Sequence, residues 1–562
     1  MKILLIYPYF LEERPDYEDV SVVPIGVYYV GAVLKKHNYD VEVLNWHNIN
    51  KRPEKIKQTL SEKNPDIIGF SVLHANRWGA IEISRIAKKI IPYVKIVFGG
   101  IGATFLWNHF LTHFPEIDFI VCGEGEYTFL NLVKCLEQKN YQDIGNLKGI
   151  AFRKKGCVLK NPDAELIANL DELPNPAQFF DYQHLSLTRG CFGKCRFCGS
   201  PHFWGPKVRS HSAKYFVDQL EMLYEKKITF FYVSDDTFTI HKGRVIEVCR
   251  LILDRKLKLT WAAVSRVDTV DKDLLYWMRK AGCIQISYGV ESGSEKIREF
   301  LNKKISHDRI KNAFALTTMY GIMARAYFIY GSPGESMSTI QETIDLIQEI
   351  KPFSCMFYIL DIFPGTSLYK EYKKIFNVTD DIWLRRVEDI MYFETDPDLS
   401  AGLISEFGKK LRNCFYENLP GFALGVELAD IKEFYPLHSD FCSRLGMTFD
   451  HGDYAHIKGI PEKGKVAEQL YRKSLEYYPD QRAYLGLGIM AQKQGASHES
   501  IKILSKGIEH FPDNVELNLC ISVSFMNIGE YKKALDYVLK FPQSEYAHEL
   551  MSRCYKALQK TA

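Results

Sequence analysis

The sequence has no excess of either charge. Its 72 Lys and Arg residues stand against 69 Asp and Glu, for a formal net charge of +3. Without a basic field there is no electrostatic case for nucleic acid or an anionic membrane as the main partner. It also lacks a long hydrophobic run. The longest nearly uncharged apolar stretch, Val20 to Leu34, contains Pro24 and falls short of the roughly 18–20 residues of a spanning helix. The opening MKILLIYPYF carries no cleavage-site pattern and reads as a first strand, so a cytoplasmic location is expected. The 13 cysteines are odd in number and follow no secretion signal, which argues against a disulfide framework. Hydrophobic residues at 46% and charged residues at 25% exclude a disordered, collagenous or coiled-coil chain. The 562 residues suffice for about three or four domains.

Residues 1–140 alternate strand and helix signals. Ile3–Ile6, Val41–Leu44, Asp66–Ser71, Val94–Phe98 and Phe119–Cys122 read as strands, with helical spacing at Ile25–Lys36 and Ile81–Ile91. Such alternation predicts a doubly wound, Rossmann or flavodoxin-like parallel sheet. Ligands of such sheets bind beyond the carboxyl ends of the strands, where Ser71, Gly99-Gly100 and Gly123 fall. The strands ending at Phe70-Ser71 and at Phe98 are expected to flank the switch-point crevice. Residues 141–183 read as a connector with a hairpin and the loop Leu173-Pro174-Asn175-Pro176. Residues 184–390 hold six strand candidates at 185–187, 229–233, 260–264, 284–288, 326–330 and 357–360, separated by helical stretches. They predict a partial (β/α)6 barrel with chemistry at the carboxyl-end loops. A helical region, 391–462, precedes a tail, 463–562, whose Gly495 and Gly529, and Ser500 and Ala534, recur at 34 residues. That period is the tetratricopeptide signature, and the short array is expected to cap against the preceding helices.

Ten cysteines are scattered and read as small buried hydrophobes. The other three fall together in Cys191-Phe192-Gly193-Lys194-Cys195-Arg196-Phe197-Cys198. At this cysteine content chance places on the order of 0.01 such triplets in the chain. Three thiolates on one loop can hold three corners of a cubane [4Fe–4S] cluster, leaving the fourth iron open. Zinc is the other metal reading, but it usually takes four ligands, and no second pair or nearby histidines supply a fourth. No second cluster is expected.

CxxxCxxC with Phe197, just after the first strand of a β/α barrel, resembles the radical S-adenosylmethionine (SAM) superfamily. Val233-Ser234-Asp235-Asp236-Thr237-Phe238 looks like its second-strand motif, which holds the methionyl amino group. Gly289-Val290-Glu291-Ser292-Gly293-Ser294 looks like its ribose and methionyl segment. Tyr330-Gly331-Ser332-Pro333-Gly334-Glu335 and Phe363-Pro364-Gly365-Thr366 also recur there, and Arg266 stands where the family often has an arginine facing the SAM carboxylate. The resemblance implies that Cys191, Cys195 and Cys198 bind the cluster and that SAM chelates its open iron. One electron, from a donor such as flavodoxin or ferredoxin, then splits a carbon–sulfur bond to give a 5′-deoxyadenosyl radical, while the protein orients the reactants and excludes water. Asp235, Asp236, Arg266 and Glu291 become charge partners of SAM on this reading; the alternative is ion pairing inside the barrel.

The first domain resembles the cobalamin-binding domain of one large radical SAM subfamily, through Pro24-Ile25-Gly26-Val27, Ser71-Val72-Leu73, Gly99-Gly100 and Gly123-Glu124-Gly125-Glu126. Cobalamin is implied there, its nucleotide tail threading between the loops after Ser71 and Gly99-Gly100. No Asp-x-His-x-x-Gly follows the first strand, so no histidine is expected on cobalt; His47 and His74 read as surface or core residues. The resemblance covers residues 1–390. It implies a cobalamin-dependent methyltransferase acting on an unactivated carbon of a small molecule or peptide. A radical cyclase, rearranging or coupling enzyme is the alternative, and a partner-binding scaffold is the reading from another class. The tail either recruits a protein partner or closes the barrel.

Overall fold

The computed structural model describes residues 1–12 and 21–561; Val20, where the apolar stretch begins, lies outside the described residues. The first sheet has seven strands in the order β2-β1-β3-β4-β5-β6-β7. They are β1 (Lys2–Tyr7), β2 (Asp40–Asn45), β3 (Ile67–Ser71), β4 (Lys95–Gly99), β5 (Phe119–Val121), β6 (Ile150–Lys154) and β7 (Cys157–Lys160). β1 to β5 are parallel, with Ile3 opposite both Val41 and Ile67. The central residues of β1, β3, β4 and β5 are buried on both faces, which explains their continuous apolar runs. Helices α1 (Ile25–Lys36), α2 (Pro53–Lys63), α3 (Arg77–Ile90), α4 (Ile101–Phe105), α5 (Trp107–His113) and α6 (Glu126–Glu137) connect them.

Two expectations change. The strand order reverses between β1 and β3, because β2 is laid on the opposite edge; β3 and β4 are neighbours on one side and do not flank the switch point. The connector hairpin is also not free-standing. β6 pairs antiparallel with β5, and β7 with β6, so the first sheet runs on to Lys160.

The second sheet has six parallel strands in the order β15-β14-β13-β12-β11-β8. They are β8 (His184–Leu185), β11 (Phe230–Val233), β12 (Thr260–Ser265), β13 (Cys283–Glu291), β14 (Met323–Tyr330) and β15 (Ser354–Ile359). A short ribbon of β9 (Thr188–Arg189) and β10 (Arg209–Ser210) sits between β8 and β11 in the chain. Strands used in chain order, each followed by a helix, curl into an open barrel. The helices are α7 (Ser200–Trp204), α8 (Ala213–Glu225), α9 (Lys242–Asp254), α10 (Lys272–Lys280), α11 (Glu295–Phe300), α12 (His307–Met319), α13 (Met337–Ile350) and α14 (Ser367–Phe376).

The chain after β15 returns to the first domain. Leu360, Ile362, Leu368, Tyr369, Trp383 and Ile390 share one core with Ile68, Trp78, Ile81 and Phe110. Fully buried Arg77 locks this strap, donating to the carbonyls of His74, Trp383, Arg385, Val387 and Glu388. Beyond it the described chain is helical: α15 (Ala401–Leu424), α16 (Tyr435–Asp450), α17 (Lys463–Tyr477), α18 (Gln481–Lys493), α19 (Ser497–His510), α20 (Val515–Asn527), α21 (Tyr531–Val538) and α22 (Glu545–Thr561). α15 to α18 extend the barrel core through Phe407, Phe441, Leu470 and Leu487. No helix among the described residues is long and apolar enough to cross a membrane.

Candidate active site

The cysteine loop leaves the β9 end and is held by the backbone. Arg196 N–H donates to Leu301 O at 3.0 Å, Leu368 N–H to Arg196 O at 2.9 Å, and Asn302 Nδ2 to Lys194 O at 2.6 Å. Cys191 Sγ accepts from Gly193 N–H at 3.3 Å. A Cβ added at Gly193 would meet Arg266 Nη1 at 3.2 Å, Cys191 Sγ at 3.3 Å and Cys195 Sγ at 3.8 Å. The glycine thus clears a cradle between two sulfurs and a guanidinium. Burial pushes the Cys195 thiol up and the Cys198 thiol up to about 12, so binding iron must displace their protons. The described side chains that converge closely enough for one ion are two other sets, described below; the three cysteines are not among them. Three thiols on one loop, not converged on a single point and with two of them flanking a bare glycine, fit a cubane cluster better than a single zinc ion.

The charged residues near the loop are paired. Arg266 binds Asp268 through both carboxylate oxygens at 2.8 Å and lies over the Phe192 ring, 4.8 Å from its centre. Glu291 takes a left-handed φ of 69° at a register shift in β13 and accepts from Lys303 Nζ at 2.9 Å. Both are buried. Such a strained non-glycine residue is costly unless its surroundings hold it. Asp235 spends its carboxylate on Leu187 N–H, Thr188 N–H and Thr188 Oγ1, at 2.8, 2.9 and 2.7 Å. Burial outweighs these bonds and lifts its carboxyl to about 7. Its neighbour Asp236 accepts from Ser200 Oγ at 2.6 Å. Ser234 Oγ pairs with His184 Nδ1 at 2.8 Å. Ser292 Oγ accepts from Ser294 N–H. Pro333 sits in the turn that Glu335 ties by accepting from the Gly331 and Ser332 N–H groups.

A cavity of about 730 Å³ lies between the two sheets. From the barrel side it is lined by Phe197, Cys198, Ser200, Trp204, Ser234 and Asp236. From the first domain Ser71, Leu73, Gly99, Gly100, Gly123 and Glu124 line it. Cys191, Cys195, Asp235, Arg266, Glu291, Ser292 and Pro333 do not line it. The size suits a large ligand. Gly99 carries the fit to a flat cofactor: it lines the cavity, and a Cβ there would meet Phe70 O, Val121 O and Val121 Cβ at 3.9 Å, in ordinary contact without a clash. Gly100 differs. Its φ is +93°, and a Cβ would meet Val72 O at 3.0 Å and Val72 N at 3.2 Å, so the backbone itself requires glycine there. Of the histidines, His47 is half-buried and does not line the cavity. His74 and His211 line the cavity.

The sequence reading missed several participants. Arg189 donates to Glu124 at 2.6 Å and Glu126 at 2.5 Å, and Arg209 to Glu124 at 2.8 Å. This buried four-charge latch joins the Gly123–Glu126 loop to the strand that enters the cysteine loop. Arg189 also lies between the Tyr29 and Trp204 rings. His74 Nε2 lies 3.2 Å from Asp361 and 2.9 Å from Asp389. Burial opposes charge on this imidazole, and the two carboxylates outweigh it, raising its pKa to about 9. His211 is held by Tyr29 OH and Asp171. Glu124 and Glu126 are named in the sequence as part of the cobalamin motif and His74 as a surface or core residue; of the rest, only Arg189, two residues before Cys191, has a position that could have drawn notice.

Comparison with known proteins agrees with this division. Residues 185–347 match the Radical SAM superfamily, and residues 19–133 the B12 binding domain. The chain is 29% identical over 382 residues to an uncharacterized methyltransferase of Pyrococcus horikoshii, covering 66% of this chain and 83% of that one. It is 28% identical over 389 residues to the anaerobic magnesium-protoporphyrin IX monomethyl ester cyclase of Rubrivivax gelatinosus, covering 66% and 70%. Its fold matches the radical SAM methyltransferase TsrM of Kitasatospora setae, solved with cobalamin and a [4Fe–4S] cluster, with a TM-score of 0.62 and 16% identity over 85% of this chain and 99% of that one. The two domains make this a cobalamin-dependent radical SAM enzyme whose cofactors are a [4Fe–4S] cluster, SAM and cobalamin.

Proposed function

We propose that this enzyme transfers a methyl group to an unactivated carbon. The observation that carries the reading is the shared cavity: Cys198 of the cluster loop and Gly99 of the first domain line one space. A substrate carbon there can meet both reaction centres without leaving the chamber, which is what proximity requires. When bound, SAM and cobalamin supply a primary-carbon radical and a methyl group respectively.

The chain's own residues have definable tasks. Cys191, Cys195 and Cys198 hold the cluster, and Arg266 and Lys303 set positive charge beside it. Glu291 and Asp236 are the carboxylates for the amino end of SAM, with Ser234, Ser292 and Pro333 bordering it. Asp235 positions the Leu187–Thr188 turn. Ser71, Leu73, Gly99 and Gly123 receive cobalamin. Gly100 serves by letting the loop turn against Val72. The latched histidines argue for cobalt without a histidine ligand: His74 Nε2 and both nitrogens of His211 already have partners. Phe197, Phe203 and Trp204 wall the cavity and exclude water. A one-electron donor and a small-molecule substrate complete the system.

A second reading, radical ring closure, is favoured by the near-equal similarity of the cyclase. The two are separable without knowing the substrate. The anaerobically reconstituted enzyme is incubated with methyl-deuterated SAM, cobalamin and a low-potential reductant. Methyl transfer predicts trideuterated methylcobalamin with an equal amount of S-adenosylhomocysteine. Formation of 5′-deoxyadenosine with neither product rejects methyl transfer and leaves ring closure.

A further inference from the structure

Away from the cavity, α5 carries His109 and His113 one helical turn apart, hence on one face. The turn at Asp380–Leu384, in the strap after α14, brings Asp381 against them. Ligand atoms from all three lie within 4.8 Å of one another, and His113 Nε2 is 3.0 Å from Asp381 Oδ1. The independent pointer is His109. Its side chain is 3% exposed, and neither Nδ1 nor Nε2 has a hydrogen-bond partner within the protein. Its ring neighbours, Phe110, Phe114 and His113, do not relieve this. Burying an imidazole unpaired is unfavourable, and native proteins pair such groups with protein, water or an ion. Two imidazoles and a carboxylate are the donor set of borderline divalent ions. The other three-residue set, His74–Asp361–Asp389, lacks this signal, since its imidazole already has both carboxylates within hydrogen-bond reach.

We propose that His109, His113 and Asp381 bind one divalent ion of the zinc class, with water as the fourth ligand. The ion clamps α5 of the first domain to the strap that follows the barrel. His113 and Asp381 are 31% and 62% exposed, which provides the entry route and the open position for water. None of the three lines the cavity, so the ion's role is structural.

The test uses the full chain with its iron–sulfur cluster loaded, which keeps zinc off the cysteines. After dialysis against micromolar zinc, the wild type should retain about one zinc per chain by elemental analysis. Absorption at the zinc edge should show nitrogen and oxygen neighbours at about 2.0–2.1 Å and no sulfur at about 2.3 Å. His109→Phe should lower bound zinc at least tenfold. Asp381→Asn and His113→Gln, on the more exposed ligands, should do the same and keep the test valid if the buried change unfolds the chain. Zinc should raise the melting temperature of the wild type and not of the variants. The proposal is overturned by a wild type without zinc, by a sulfur-dominated edge, or by folded variants that keep wild-type zinc.

Discussion

Glu124→Gln tests whether the latch between the domains is electrostatic. The wild-type group is neutral, with Glu124 and Glu126 against Arg189 and Arg209, all 11% exposed or less. The substitution removes one negative charge and leaves two guanidiniums facing Glu126 alone. Arg209 is left worst off. Its Nε and Nη2 are already buried without partners, and its remaining bond is to Ile167 O at 2.7 Å. Glutamine can still accept from Ile167 N–H, which now donates to Glu124 at 2.8 Å, but its amide group then points at the arginines. Breaking a buried pair by deleting one partner costs about 3–5 kcal/mol. At the low end of the size-dependent scaling, about 2 °C per kcal/mol, the melting transition of the coupled domains should fall by roughly 6–10 °C. Trp204, whose ring lies against Arg189, should report the opening through its fluorescence. Glu124→Gln combined with Arg209→Met removes one charge of each sign and should recover most of the loss. The sign with pH is defined. Burial raises the Glu124 carboxyl, but the arginines and the Ile167 N–H outweigh it and hold it below the ordinary range. Its stabilisation is therefore present above the unfolded value, about 4.3, and is lost as pH falls through the folded value. The wild-type advantage should shrink only in acid. A Glu124→Gln protein that melts within 1 °C of wild type at neutral pH would refute the reasoning.

Two further outcomes are expected. Replacing Cys191, Cys195 and Cys198 together with Ala should leave a soluble chain of unchanged circular dichroism with almost no iron, because backbone bonds to Leu301 and Leu368 hold the loop; the wild type should carry about four irons, and a count near eight, or a full cluster in the variant, would contradict this. Gly99→Leu adds a bulky side chain to the cavity wall without a clash at its Cβ and should abolish cobalamin retention while leaving iron content unchanged, so stoichiometric cobalamin in that variant would sink the assigned position; Gly100→Leu is the poorer probe, because strain against Val72 would confound folding with binding.

What could be read from the sequence follows the range of the forces involved. Parallel strands buried on both faces leave continuous apolar runs, so Ile67–Ser71, Lys95–Gly99 and the barrel strands were legible to within a few residues. The cysteine loop was legible because its three thiols are adjacent in the chain. Contacts between distant segments leave no such trace. Arg189 and Glu124 are 65 residues apart, and His74 and Asp361 are 287 apart; each reads locally as an ordinary loop residue. The strap failed for the same reason: Leu360–Tyr392 has the pattern of a barrel tail, and only the packing of Trp383 against Arg77 reveals that it belongs equally to the first domain. Gly100 carries a second reason that the sequence does not show. Glycine was expected there to admit a ligand, and its left-handed backbone against Val72 requires glycine as well.

These long-range contacts also explain how two sheets can form one chamber. The carboxyl end of either sheet alone would be an open face lined on one side. Arg77 fastens the strap to the first domain through four strap carbonyls, and the Glu124–Arg189 latch fastens the cysteine-loop strand to the same domain at Glu124. Between them runs the cavity that Gly99 and Cys198 both line. Their separation is therefore set by packed and paired groups on two sides, not by the connector alone. The helices from α15 to α18 add to this by continuing the barrel's core through Phe407, Phe441, Leu470 and Leu487, so the start of the helical tail is packed onto the barrel.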